Sequence, residues 1–309
     1  MDVVVMGEPL VEFSADRALT EAETFRLSFS GDALNVAVAA AAAGARTALV
    51  TLLGEDEFGA RLIRFAGSRG VDTRWMLPGP GSTGAYAVGA DPSGTRAFAY
   101  MRQGSAASRL SPADLAGSPA ASCRVLVLSG ITAALSGSCD TAVRAAARAA
   151  TGLVVYDPNY RSRLTGPEAA MSTLAAVAPH TALLKISAPG DSLPLLGTAD
   201  PAETARRVRR LGAPAVAVTL GARGVLLDTG DSTDLIPAAP APMIVDQTGA
   251  GDNFTGALAA WLSRDAPLLD AVRAGTAAAS ISLAGQGGTG RVATTPEIQT
   301  LLAGTVTGA

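Results

Sequence analysis

A carboxylate at the start of a helix, behind two glycines, can take a proton from a hydroxyl while neighbouring backbone N–H groups hold an anion. The stretch Asp246-Gln247-Thr248-Gly249-Ala250-Gly251-Asp252-Asn253-Phe254 has that spacing. Gly249 and Gly251 let backbone approach a phosphate, and the positive end of the helix that follows favours negative charge developing there. Asp252 then stands where a general base is needed. Taken alone, the string also reads as an ordinary N-cap, because Asp and Gly are common at such turns. Gly249, Ala250, Gly251 and Asp252 are candidate catalytic residues on that footing.

Other chemistries are poorly provided for. Gly79-Pro80-Gly81-Ser82-Thr83-Gly84 and Gly285-Gln286-Gly287-Gly288-Thr289-Gly290 fit G-x-G-x-x-G, but neither follows a first strand and opens a helix, so both read as loops rather than dinucleotide sites. The only lysine, Lys185, lies in an apolar run, which excludes a Walker-type phosphate loop. One histidine, His180 beside Pro179, suits a helix end and leaves no Ser-His-Asp hydrolase. Cys123 and Cys139 form neither a disulfide framework nor a metal motif and read as structural thiols of a reducing compartment.

The elements that must position these residues alternate. Val3–Met6, Thr47–Leu53, Val125–Leu128, Leu153–Tyr156, Ala182–Ile186, Ala215–Thr219 and Val225–Leu227 read as short buried strands. Alanine-rich windows at Ala33–Ala43, Asp140–Ala150, Ala202–Leu211, Phe254–Ser263 and Leu268–Leu283 read as helices between them. Strands alternating with helices predict a mostly parallel sheet covered on both faces. Segments 9–30 and 84–103 break that rhythm with alternating polar and apolar residues and an Asp91-Pro92-Ser93-Gly94 turn. They read as antiparallel strands of a small flap, or lid, inserted in a single domain over residues 1–309.

Composition narrows the class further. With 48% hydrophobic and 17% charged residues over 309 positions, the chain can bury a large core. A net charge of −3 leaves no basic footprint for nucleic acid. The run Ala33–Ala45 reads as a packed helix rather than a membrane span. Met1–Gly7 lacks a basic n-region and reads as a first strand, which points to a cytoplasmic protein.

The string Asp246–Phe254 resembles the second signature of the ribokinase-like (PfkB) carbohydrate kinases, Asp-Thr-x-Gly-Ala-Gly-Asp-x-Phe, with Gln247 in place of Thr. Ser30-Gly31-Asp32-Ala33-Leu34-Asn35-Val36-Ala37 is similar to the first signature, Gly-Gly-x-x-x-Asn-x-Ala, with Ser30 at the first Gly. Gly54-Glu55-Asp56-Glu57-Phe58-Gly59 resembles the family's Gly-x-Asp-x-x-Gly turn, and Val218–Gly224 its nucleotide-binding turn. Four ordered matches span most of the chain. Within the family, Gly7–Val11, Tyr100–Ser108, Leu128–Ile131 and Asp157–Arg161 look like the 2-keto-3-deoxygluconate kinase branch.

The resemblance implies a three-layer α/β/α fold with a β lid, ATP and Mg²⁺ as cofactors, and a sugar or sugar acid as partner. It leaves open a monovalent cation and a homo-oligomer through the lid. Asp252 would be the base. Gly31, Asp32, Asn35, Tyr86, Tyr100, Arg102, Ile131 and Arg161 would line the acceptor site, and Thr219, Gly221, Gly224 and Gly251 would face ATP. The implied reaction converts 2-keto-3-deoxygluconate to its 6-phosphate, since a carboxylate would be met by the two arginines. The alternatives are a kinase of fructose, ribose or a nucleoside, in which both arginines are plain surface residues, a non-catalytic sugar-acid sensor, and a nicotinamide-dependent oxidoreductase. One departure is clear. Where the family carries Asn-x-x-Glu near Mg²⁺, the chain has Ser187-Ala188-Pro189-Gly190, and Asp191 is the candidate replacement.

Overall fold

The computed structural model describes residues 1–89, 97–241 and 243–306. The chain enters as β1 (Val3–Met6), leaves the core for β2 (Leu10–Ala15) and β3 (Arg26–Ser30), and returns through α1 (Asp32–Ala42) to β4 (Thr47–Leu53). After α2 (Glu57–Ser68), β5 (Val71–Asp72) and β6 (Met76–Pro78), a second excursion builds β7 (Ala85–Gly89) and β8 (Ala97–Met101). Alternation then sets in with β9 (Val125–Ser129), α3 (Gly130–Ala134), α4 (Gly137–Ala149), β10 (Leu153–Asp157), α5 (Pro167–Val177), β11 (Leu183–Ser187) and α6 (Ser192–Leu196). It continues as α7 (Pro201–Arg210), β12 (Val216–Thr219), β13 (Val225–Asp228), β14 (Thr233–Ile236), α8 (Ala250–Leu262), α9 (Leu268–Ser282) and α10 (Thr295–Val306).

The large sheet runs β14-β13-β12-β11-β10-β9-β1-β4-β5, with β6 beside the far end of β4. From β5 to β12 all neighbours are parallel, and only β13 and β14 turn antiparallel. Because side chains alternate along a strand, one sheet feeds two cores. Val3, Val5, Leu49, Val127 and Val155 pack towards α1, α8 and α9, while Val4, Met6, Val50, Leu128 and Tyr156 pack towards α4, α5 and α7. This is the expected α/β/α sandwich.

The small sheet is ordered β3-β2-β7-β8 and stands apart as the lid. One expectation needs correcting here. The outer pairs β2–β3 and β7–β8 are antiparallel, but β2 and β7 run parallel, since each leaves the core in the same direction. The Asp91–Gly94 turn lies outside the described residues. Among the described residues, no helix is long and apolar enough to cross a membrane.

Candidate active site

Gly249 takes φ +77° at the start of α8, and a Cβ there would fall 2.4 Å from the Gly288 Cα, so neither position tolerates a side chain without rearrangement. Asn253 Nδ2 donates to the carbonyls of Gly249 and Gly288, at 3.0 and 3.1 Å, and ties the 285–290 loop to the helix start. Asp252 falls in the first turn of α8, which begins four residues earlier than the Phe254 window. Its Oδ2 accepts from Asn35 Nδ2 at 2.8 Å, joining the two signature stretches across 217 positions. Burial raises the Asp252 carboxyl first, the nearby Asp32 charge adds to this, and Asn35 and Lys185 oppose it, leaving it pushed up to about 7.

A cleft of about 610 Å³ opens between lid and core in front of this carboxylate. Gly31, Asp32, Asn35, Tyr86, Tyr100, Arg102, Ile131 and Arg161, all eight residues expected at the acceptor, line it together with Gly249, Gly251 and Asp252. Ala250 sits in the same helix turn without lining the cleft. Thr219, Gly221 and Gly224 do not line it either. They form the β12–β13 turn, and the pairing of Thr219 with Ser187 puts them at the C-terminal edge of the sheet, beyond β11. Gly224 has φ +97° there, and a Cβ would meet the Ile236 carbonyl at 2.0 Å.

The lid contributes an aromatic wall. Phe98 and Tyr100 stack with centroids 6.0 Å apart, and Tyr86 lies a similar distance from Tyr100. The Tyr86 hydroxyl donates to Glu12, whose other oxygen accepts from Ser28 Oγ at 3.0 Å. Arg102 is buried against Glu8, a carboxylate without solvent contact that also accepts from Ser105 Oγ. Arg161 is exposed and donates to the Tyr160 carbonyl, at 2.9 Å. Arg163 reaches across from the core to the Phe98 carbonyl of the lid at 3.3 Å.

Asp191 has a different position from the one expected of a metal-holding carboxylate. Its Oδ1 accepts from the Tyr160 N–H at 2.7 Å and its Oδ2 from the Ser187 N–H at 2.9 Å and hydroxyl at 2.5 Å. Buried and absent from the cleft wall, it pins the segment at Tyr160 to the end of β11.

Several residues at the cleft escaped the sequence reading. Lys185 and Asp157 form a buried ion pair beneath α8, Glu8 and Glu12 partner Arg102 and Tyr86 on the lid side, and Phe98 from the lid and Arg163 from the core line the cleft. The available signals were a lone lysine in an apolar strand and two carboxylates in the apolar stretch 3–13. His180 ends a short turn, exposed, and both cysteines are buried and free, as expected.

Comparison with known proteins agrees with this geometry. Residues 2–295 match the pfkB family carbohydrate kinase description. A 2-dehydro-3-deoxygluconokinase from Thermoproteus tenax is 33% identical over 263 residues, covering 83% of this chain and 80% of that one. Fructokinase-2 from Zea mays is 32% identical, with 85% and 80% covered. A putative ribokinase II from E. coli, solved with ATP and Mg²⁺, superposes with a TM-score of 0.87 at 23% identity over 97% and 98% of the two chains. The sensor and nicotinamide alternatives fall away with these matches: the enzyme is a phosphotransferase with an alcohol acceptor, and the chain belongs to the PfkB family of carbohydrate kinases.

Proposed function

We propose that this kinase transfers the γ-phosphoryl group of ATP to the primary hydroxyl of a 2-keto-3-deoxy sugar acid, giving the 6-phosphate of 2-keto-3-deoxygluconate. The observation that carries the reading is the cleft itself, which brings a base-capable Asp252 together with Arg102, Arg161 and Arg163. A carboxylate entering such a site loses water, and charge-assisted hydrogen bonds from guanidinium groups offset that loss. Asp252 takes the hydroxyl proton. The first backbone N–H groups of α8, at Ala250, Gly251 and Asp252, face charge on the moving phosphoryl group, and the lid excludes water. Thr219, Gly221 and Gly224 hold the nucleotide along the β12–β13 turn.

Asp32 and Asp252 both line the cleft, and carboxylate oxygens there suit a Mg²⁺ arriving on nucleotide phosphates with most of its water shell. Asp32, whose Oδ2 is buried without a partner among the described residues, would face that shell. When bound, Mg²⁺ supplies charge neutralisation at the phosphates. A neutral sugar such as fructose is the second reading, and one observation favours it: Glu8 already balances Arg102. A coupled ADP-release assay across sugar acids and neutral sugars decides. Preference for fructose or ribose removes the sugar-acid assignment.

A further inference from the structure

Lys185 is the one lysine of the chain and is only 6% exposed. Its neighbours Leu184 and Ile186 pack into the α4–α7 core, so alternation along β11 turns Lys185 to the opposite face, beneath α8. There its ammonium pairs with Asp157, its one hydrogen-bond partner among the described residues. An ammonium carries three N–H donors, so two have no acceptor among the described residues, and Lys185 lies on the cleft wall. A Cβ built on Gly251 would come within 3.1 Å of Nζ, which places the charge against the Gly249–Gly251 turn.

We propose that Lys185 is a catalytic residue that donates to the phosphoryl group in transfer, completing with the α8 N-terminus a cradle of backbone donors plus one ammonium. The inference rests on ATP as the phosphoryl donor. In the step, the acceptor oxygen bonds to phosphorus while the bond from phosphorus to the bridging oxygen of ADP breaks. The hydroxyl proton passes to Asp252, and ADP leaves with the electron pair. Charge spreads over the three equatorial oxygens, and the two free N–H donors of Lys185 are placed to receive it. Asp157 keeps the ammonium protonated in its buried place. Burial alone lowers the lysine, but Asp157 overrides it and the balance ends above the ordinary value.

Two lesser roles have to be separated from this one: Lys185 could serve only to neutralise Asp157, or only to hold Asp252 down. The test compares Lys185→Met with the double variant Lys185→Met/Asp157→Asn, which removes both charges of the pair and so keeps the interior neutral. Both should lose roughly 10²–10³-fold in kcat, as for loss of one transition-state donor, with the acceptor KM moving only a few-fold. The loss should persist at pH 9, above the Asp252 titration. A second readout needs no turnover. By calorimetry without acceptor, both variants should lose about tenfold or more of the preference for β,γ-imido-ATP over ADP, the size of a hydrogen bond to a charged group. Near-normal kcat in the double variant makes Lys185 a neutraliser only, and a defect that vanishes at pH 9 makes it a tuner of Asp252. Either result overturns the proposal. The measurements use whichever acceptor the wild type phosphorylates, so a wrong acceptor is told apart from a wrong role for Lys185.

Discussion

A carboxyl that titrates near neutrality can take a proton from an alcohol and release it to bulk water, and Asp252 is held there by burial and by Asp32. We expect Asp252→Asn to keep ATP and acceptor binding while losing roughly 10²–10⁴-fold in kcat, the range for a positioned general base. Near-normal turnover would rule the role out. The acid limb of kcat/KM should fall near pH 7 and move lower in Asp32→Asn, because that change removes a charge that raises Asp252. The same shift acts on folding. The carboxyl binds its proton more tightly in the fold than at its ordinary value of 3.8, so its ionisation opposes folding. The penalty is absent below about pH 4, grows up to about pH 7 and stays full above it, with an upper bound of about 4 kcal/mol. Urea unfolding should therefore show Asp252→Asn more stable than wild type at pH 8 and little changed at pH 4. Asp252, Asn35 and Gly31 were legible because each sits in a short local string. Lys185 and Asp157 were not, since their pairing spans 28 positions and two strands and depends on register.

Strands and helices of the core were legible from alternating apolar runs, and most observed boundaries lie within one to four residues of the expected ones. The period-2 pattern of the lid revealed strands but not their partners, because alternation encodes which face is buried and is silent on strand direction. That is why β2–β7 turned out parallel. Helix α2 was hidden behind the Gly54–Gly59 string, although Asp56 caps it by accepting from the Gly59 N–H at 2.8 Å. Asp191 teaches the same lesson at the end of β11. Its carboxylate organises three donors, so Asp191→Ala should release the 158–161 segment, raise the acceptor KM and lower Tm. The Mg²⁺ concentration for half-maximal rate should stay unchanged, and a clear rise in it would return Asp191 to the metal.

At the scale of the molecule, lid and core meet around a cleft to which each contributes cations: Arg102 from the lid, and Arg161 and Arg163 from the core. The sandwich and its lid were legible in the order of elements, whereas the charge balance of the cleft was not, because Glu8 meets Arg102 only after the lid has folded back. Substrate choice follows from that balance. If the acceptor is a sugar acid, Arg102 must serve Glu8 with one edge and the ligand carboxylate with another, and Arg161 must lose exposure when the ligand binds. Arg102→Leu should then reduce kcat/KM for the acid by on the order of 2–5 kcal/mol, since it truncates one side of a buried charge pair. Arg161→Leu, starting from an exposed side chain, should lose roughly 1.5–3 kcal/mol, the value of a hydrogen bond to a charged group. The KM for ATP should barely move in either variant, because Thr219, Gly221 and Gly224 lie beyond β11. An analogue with an alcohol in place of the carboxylate should be a poor wild-type substrate and lose little more on mutation. If both Leu variants phosphorylate the acid as wild type does, the arginines do not read a carboxylate, and the neutral-sugar reading takes its place within the same kinase.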